Sequence, residues 1–307
     1  MRWSFPAYEL VFEADFALPA PRVPELDRRA LARIPIRRAR DAREPATWIR
    51  VYAAPERPPW LSVGRVGADY LLRFHGHADF VIDATGAAVS YAPAHGCSEL
   101  TVEQLVLDQV IPQLLHLRGR PTLHGSAVAT VRGVAAFVGP SGAGKSTLAA
   151  SYSEEAALVC DDCIAPVMGH DRVTIEPSYA SVRLWDDAAA ALGADADALA
   201  RASDRAPKRR MPMRAASGEL LLRRVFVLEN ADAAPSIERL RGADALMAVA
   251  PHMHRLDPDD RARQATELDF LARLAAQVPI ARLRFRRGYD ELAAVRAVVA
   301  RDLAQAG

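Results

Sequence analysis

Residues Gly139-Pro140-Ser141-Gly142-Ala143-Gly144-Lys145-Ser146-Thr147 meet the phosphate-loop pattern G-x-x-x-x-G-K-[ST] at every required position. The residue types explain what such a stretch can do. Glycines let successive backbone N–H groups turn inward around phosphate oxygens, and a helix starting there aims its positive end at the same charge. Lys145 offers a compact ammonium to the β/γ-phosphates, and Ser146 offers a hydroxyl to Mg²⁺. The apolar run Val134–Val138 reads as a buried strand entering the loop, and Thr147–Ala150 reads as the opening of a helix. Together they predict a nucleoside triphosphate site.

Downstream, Asp161-Asp162 closes the short apolar strand Ala157–Cys160. Beside a triphosphate, one carboxylate can hold Mg²⁺ and the other can accept the proton of an attacking hydroxyl. Upstream stands His124. A second candidate is Lys208-Arg209-Arg210, in a stretch from Arg205 to Arg214 without an acid. It reads either as a mobile basic loop closing on the γ-phosphate or on an acidic group of an acceptor, or as a solvated charge run. Arg183 is a lesser candidate of the same kind. Of 39 basic residues only Lys145 and Lys208 are lysine, and arginine does not replace a compact ammonium freely.

Several classes are excluded. The sole asparagine, Asn230, is followed by Ala231, so no N-K-x-D base-reading motif of small GTPases exists, and no L-S-G-G-Q-type transporter signature is present. A net charge of +1 argues against a nucleic-acid partner. Cys97, Cys160 and Cys163 give no disulfide framework; Cys160 and Cys163 form C-x-x-C without a second pair for zinc, and Cys160 is expected to pack its strand. The pairs His75/His77 and His252/His254 read as surface histidines. The start, Met1-Arg2-Trp3-Ser4-Phe5-Pro6, lacks an apolar signal core, and no apolar run reaches the roughly 18 residues of a membrane helix, so a cytoplasmic location without a membrane partner is expected.

The elements that must position these groups follow from pattern. Residues 1–60 are rich in proline and arginine; Tyr8–Glu13 reads as a strand and Arg28–Arg43 as irregular and solvated. Tyr70–Phe74, Asp79–Asp83 and Ala87–Tyr91 read as strands, with a turn at Asp83–Gly86, which predicts a β-rich N-terminal domain over 1–98. Thr101 and Gln104 form a capping box for a helix whose apolar side is Leu105, Val106, Val110, Leu114 and Leu117, with a kink expected at Pro112. Ser126–Val131, the turn Arg132-Gly133 and Val134–Val138 form a hairpin, so the strand entering the loop pairs antiparallel with its predecessor. A helix to about Glu155 follows the loop. Further on come strands at Val173–Ile175 and Leu220–Leu228 and a strand-to-helix passage at Ser181–Leu192. A helix from Asp257-Pro258 to Gln277, a strand at Ile280–Phe285 and a closing helix over 289–304 complete the chain.

Leu123-His124-Gly125, the hairpin, Gly139–Ser146 and Val159-Cys160-Asp161-Asp162 resemble the HPr kinase/phosphorylase family, over roughly residues 100–185. The resemblance implies a mixed-sheet α/β fold: a phosphoenolpyruvate carboxykinase/HPr kinase-like catalytic domain over 99–307, beside the smaller β-rich domain. It implies ATP and Mg²⁺ as cofactors and a serine hydroxyl of a peptide or protein as acceptor. Asp162 would be the base, His124 its orienting neighbour, and Asp161, with Asp162 and Ser146, the metal-organising set. Lys145 and the loop from Gly139 to Thr147 would hold the nucleotide, with Lys208 and Arg209 closing on it. Thr147 stands where the bifunctional enzymes carry Glu, and their L-E-V-R-G-type segment has no counterpart here. The chain therefore looks more like the HPr kinase-like enzymes of peptide-biosynthesis clusters, including lasso-peptide kinases, and neither phosphorylase activity nor HPr as substrate is expected. A small-molecule kinase acting on a sugar or amino acid, or a nucleotide sensor without turnover, are the alternatives; a homo-oligomer is left open.

Overall fold

The computed structural model describes residues 3–17 and 31–305; Met1-Arg2 and the start of the charged segment, Arg28–Ala30, lie outside the described residues. Eight strands build the first sheet: β1 (Trp3–Ala7), β2 (Leu10–Ala14), β3 (Ala32–Arg38), β4 (Thr47–Tyr52), β5 (Leu61–Val66), β6 (Asp69–Phe74), β7 (Ala78–Ile82) and β8 (Val89–Pro93). Their order is β1-β2-β3-β8-β7-β6-β5-β4, antiparallel except where β3 runs parallel to both β2 and β8.

Two readings of this region are corrected. Residues 32–38 are a strand: Ile34 and Ile36 alternate into the core, while Arg33 and Arg37 pair with Glu13. Tyr8–Glu13 is a turn followed by a strand, with Tyr8 and Glu9 at φ 54° and 52°. Tertiary contacts hold that turn. The buried Tyr8 hydroxyl donates to the Cys163 carbonyl at 3.3 Å, and the Tyr8 carbonyl accepts from Arg120 Nη1 at 2.8 Å.

The connecting helix comprises α1 (Glu99–Leu105), a π turn over Val106–Val110, and α2 (Ile111–Leu117). Its cap is Ser98 and not Thr101, because Ser98 Oγ accepts from the Thr101 N–H at 3.2 Å. Pro112 has no N–H to return to the Asp108 carbonyl, and the helix absorbs the mismatch in the π turn just ahead of it. Val102, Leu105, Val106, Val110, Ile111 and Leu114 share one core with the first sheet. The boundary expected at 98/99 thus falls at the start of a helix that packs on the strands before it.

The second sheet is laid down by β9 (Gly125–Thr130), β10 (Gly133–Val138), α3 (Lys145–Ala150) and β11 (Ala157–Cys160). After these come β12 (Pro166–Met168), β13 (Val173–Ile175), β14 (Ser181–Trp185), α4 (Asp186–Ala191) and β15 (Lys208–Pro212). Last are β16 (Leu222–Asn230), β17 (Ser236–Leu240), α5 (Gly242–Val249), α6 (Arg261–Gln277), β18 (Ile280–Phe285) and α7 (Leu292–Ala304). Six of these strands form a mixed sheet in the order β11-β9-β10-β16-β18-β17. Its β9–β10 hairpin is antiparallel, whereas β10–β16 and β16–β18 are parallel. The chain is a mixed-sheet α/β fold.

Alternation along β10 divides the core. Val134, Ala136 and Val138 pack with Phe270 and Leu274 of α6, and Ala135 and Phe137 pack with Leu148 of α3 and Val295 and Val299 of α7. The helix after the loop stops at Ala150, short of Glu155, and turns bridge to β11. The cap of α6 is Asp260, whose carboxylate accepts from the Ala262 and Arg263 N–H groups at 3.1 and 3.2 Å, so Pro258 precedes the helix. Lys208-Arg209-Arg210 is no loop: β15 pairs antiparallel with β14 in a two-stranded ribbon. No helix among the described residues is long and apolar enough to cross a membrane.

Candidate functional site

Because β9 lies between β10 and β11, the end of β11 is carried beside the loop that leaves β10. Gly125, opening β9, has to be glycine: a Cβ there would lie 2.4 Å from the Phe137 carbonyl oxygen and 2.6 Å from Ile164 Cδ1. In the loop, Gly142 and Gly144 have φ of 80° and 91° with open space around a notional Cβ, so their requirement is conformational. Gly139, Ser141, Ala143 and Thr147 complete the loop around them. The buried Lys145 ammonium donates to the carbonyls of Gly139 at 2.9 Å and Pro140 at 3.0 Å.

Ser146 Oγ donates to Asp161 Oδ1 at 2.9 Å, and Ser126 Oγ donates to the same oxygen at 2.5 Å. Asp161 Oδ2 accepts the Arg183 backbone N–H at 3.2 Å. Burial, and then the charge of Asp162, pushes the Asp161 carboxyl up. Asp162 behaves oppositely. Burial works against its ionised form, but the Arg183 guanidinium outweighs it and holds Asp162 below the usual carboxylate range. Arg183 supplies that charge through Nε at 3.0 Å and Nη2 at 2.7 Å, both on Asp162 Oδ2.

The backbone at Asp162 is strained. Its φ is 64°, and the Cys163 N–H donates to the Asp161 carbonyl at 2.9 Å, closing a γ-turn of the rare positive-φ kind. Such outliers gather at functional sites. The buried Cys163 and Cys160 are free thiols packed in the core.

His124 Nδ1 faces the Asp162 carbonyl at 3.2 Å, so that nitrogen carries the proton. Burial, and then Lys145, lowers the His124 pKa, which keeps the ring neutral. His252 and His254, expected at the surface, are half-buried and stand against His124. The His252 carbonyl accepts the His124 backbone N–H at 2.6 Å, and the His254 ring meets the His124 ring edge-on at 5.7 Å. Burial lowers these two imidazoles to about 4 and about 3. His75 sits exposed at a hairpin tip, its Nε2 2.8 Å from Ser62 Oγ.

The ribbon completes the cluster unevenly. Lys208 lies 5.2 Å from the Trp185 ring centre, and burial with the Arg183 charge lowers its pKa while Asp162 and Asp161 draw it up. Arg209, one residue on, projects to the other side and binds Asp186 at 2.9 Å and Asp197 at 3.5 Å. The structure does not bring Arg209 to the loop. Arg183, the lesser candidate, is central instead: it is buried, and its Nη2 also reaches Asp108 Oδ2 at 2.9 Å. Asp108 was invisible to a reading that followed only the helix's apolar side.

The donors suit Mg²⁺. They are hard oxygens, a serine hydroxyl 2.9 Å from a carboxylate with a second carboxylate adjacent, and Mg²⁺ ordinarily takes one or two carboxylates plus phosphates and water. Among the described residues no cluster of three or more His, Cys, Asp or Glu side chains forms a metal cage. A separate cleft of about 390 Å³ lies between the Tyr8-Glu9 turn and residues 174–177 and 216–220, and no phosphate-loop residue lines it.

A pH effect follows from Asp161, whose carboxyl titrates at about 6. Below that pH it holds a proton that a cation must displace, so Mg²⁺ affinity in the presence of AMP-PNP should fall by up to roughly tenfold per pH unit. Calorimetric titrations at pH 7.5 and 5 should show the loss, and Asp161→Asn should abolish the part owed to this carboxyl. Equal pH dependence in both proteins would contradict the assignment.

No family model matches the chain, and no curated protein matches it. Among solved structures, the chain is similar to the HPr(Ser) kinase/phosphatase from Coxiella burnetii, at 14% identity and a TM-score of 0.31, over 61% of this chain and 99% of that one. That likeness is loose, and the site is carried by the residues themselves.

Proposed function

We propose that the protein is an ATP- and Mg²⁺-dependent kinase that transfers the γ-phosphate to a serine hydroxyl of a peptide or protein acceptor. One observation carries the reading: a phosphate loop whose Ser146 is hydrogen-bonded to Asp161, with an ionised Asp162 next in the chain. The loop amides and Lys145 hold the β- and γ-phosphates. Mg²⁺, bound by Ser146 and Asp161 with the phosphates, would spread the developing negative charge. Asp162 accepts the proton of the incoming hydroxyl while its oxygen bonds to the γ-phosphorus and ADP departs with the electron pair. His124 fixes the strained Asp162 backbone, and Lys208 and Arg183 supply positive charge around the transferring group. The mechanism is positional and electrostatic, as suits a loose phosphoryl-transfer transition state. The resemblance of Leu123–Gly125, the loop and Val159–Asp162 to HPr kinase-like enzymes of peptide-biosynthesis clusters supports the choice of acceptor.

Intact-mass analysis tests it. Serine-containing candidate peptides incubated with the protein, Mg²⁺ and ATP should gain one phosphate. Phosphate appearing on sugars or free amino acids, with peptides unmodified, would transfer the reading to a small-molecule kinase. Nucleotide binding without ADP release under any acceptor would leave a sensor.

A further inference from the structure

The β14–β15 ribbon turns one of its faces to the acid pair. Arg183 marks that face, because its Nη2 donates to Asp162 Oδ2 at 2.7 Å. Strand alternation puts Trp185 on the same face, and the register sets Arg210 opposite Arg183 and Lys208 opposite Trp185. The other face carries Val182 and Leu184, which are buried in the core with Leu148 of α3. Three of the four side chains on the site face are easily distinguished by their partners. Arg183 binds Asp162 and Asp108, and Arg210 donates to Glu103 at 2.8 Å and Gln104 at 3.2 Å. Lys208 has neither an ion pair nor a side-chain hydrogen bond among the described residues; its ammonium lies over the Trp185 ring, 5.2 Å from the centre.

The chemistry of that contact is particular. An ammonium carries three donors, and a half-buried one without a protein acceptor suits an anionic ligand that supplies oxygens. It also sits on a flexible four-carbon stem, so something must hold it in place. A carboxylate would hold it but would neutralise its charge and occupy its donors. An indole face attracts the cation through the ring quadrupole and takes up none of the N–H groups, and tryptophan offers the strongest such face. Trp185 is 47% exposed, so filling the core does not account for it. The two lysines of the chain also feel each other: the Lys208 charge is among those that lower the Lys145 pKa.

On the reading that the loop holds ATP for transfer, we propose that Trp185 is a positioning residue whose ring holds the Lys208 ammonium, donors free, for the oxygens of the transferring phosphate. Trp185 itself touches no reacting atom. In the step it serves, the acceptor O–H breaks and its proton goes to Asp162. The acceptor oxygen bonds to the γ-phosphorus, and the bond to the β-phosphate oxygen breaks with its electrons left on ADP. Lys208 keeps its proton throughout and offsets charge on the phosphoryl oxygens.

The test uses the full chain with Mg²⁺ and ATP, reading ADP release with a peptide acceptor or, failing one, with water. Trp185→Leu should lower kcat by about 3- to 30-fold, the scale of one partly desolvated cation–π contact. Trp185→Phe keeps a weaker π face and should lose less. In a Lys208→Met background Trp185→Leu should cost nothing further, because the ring acts only through Lys208. An undiminished kcat, a Phe variant no better than Leu, or an equal loss in both backgrounds overturns the proposal. Tryptophan emission gives a readout that needs no Trp185 variant to fold. AMP-PNP, which brings a γ-phosphate to Lys208, should change the emission relative to ADP, and Lys208→Met should remove that difference. Equal emission with the two nucleotides, or a difference that survives Lys208→Met, overturns the idea. A wild-type protein that releases no ADP removes the phosphotransfer reading and this proposal together. An active wild type indifferent to Trp185→Leu removes this proposal alone.

Discussion

Asp162→Asn should lower phosphate transfer by about 10³-fold, within the 10²–10⁴ that a positioned general base contributes, and should leave ATP affinity nearly unchanged. The asparagine has the same shape and can still accept a hydrogen bond from Arg183, but it cannot take a proton. Burial alone would raise the Asp162 pKa; the Arg183 guanidinium reverses that and holds the carboxylate ionised. A carboxylate held so low is a weak base while Arg183 covers it. The hydroxyl proton leaves late in a loose transition state, so placement counts for more than basicity. Single-turnover transfer and calorimetric ATP binding would separate the two effects. Wild-type transfer by the variant would remove Asp162 from the reaction.

Lys145→Met should have the second large effect. The side chain keeps its bulk and flexibility but loses the ammonium, which no other lysine on the loop replaces. Loss of one such charge from the transition state is expected to cost about 10²- to 10³-fold in kcat, and ATP binding should weaken as well. Stability should change little. The ammonium's bonds to the Gly139 and Pro140 carbonyls are each worth on the order of 1 kcal/mol net, and removing a buried charge offsets part of that. A lowered kcat and raised ATP Kd with an unmoved thermal midpoint would match. An unchanged kcat would show that the loop does not grip the reacting phosphates.

The parts of the site that lie close together in sequence were legible there. Loop, hairpin and acid pair are local patterns, and the two-residue turn alone required an antiparallel strand beside the loop. What escaped depended on distant partners. Arg183 reads in the sequence only as a lesser candidate; its central place arises because β14 passes the end of β11, and nothing in Ser181–Trp185 announces that crossing. Asp108 goes unmarked where the helix is read by its apolar side alone, although Thr101, Gln104 and Asp108 share an i, i+3, i+7 spacing. His252 and His254 became the wall behind His124 only through the path of residues 250–254. The basic run reads as a mobile loop or a solvated charge run, yet it is a strand, and alternation along β15 turns Lys208 and Arg209 to opposite sides. In the first sheet, arginine hid the Ile34/Ile36 alternation. The Tyr8-Glu9 turn carries no glycine or asparagine because tertiary contacts, and not local preference, hold its positive φ angles.

A crystal structure of the protein with Mg²⁺ and AMP-PNP tests the central claim most directly. It should show the β- and γ-phosphates on the amides of Gly142–Ser146, Mg²⁺ on Ser146 and Asp161, and the Asp162 carboxylate within one hydroxyl's reach of the γ-phosphorus on the side opposite ADP. A γ-phosphate facing away from Asp162, or a loop that takes up no nucleotide, would contradict it.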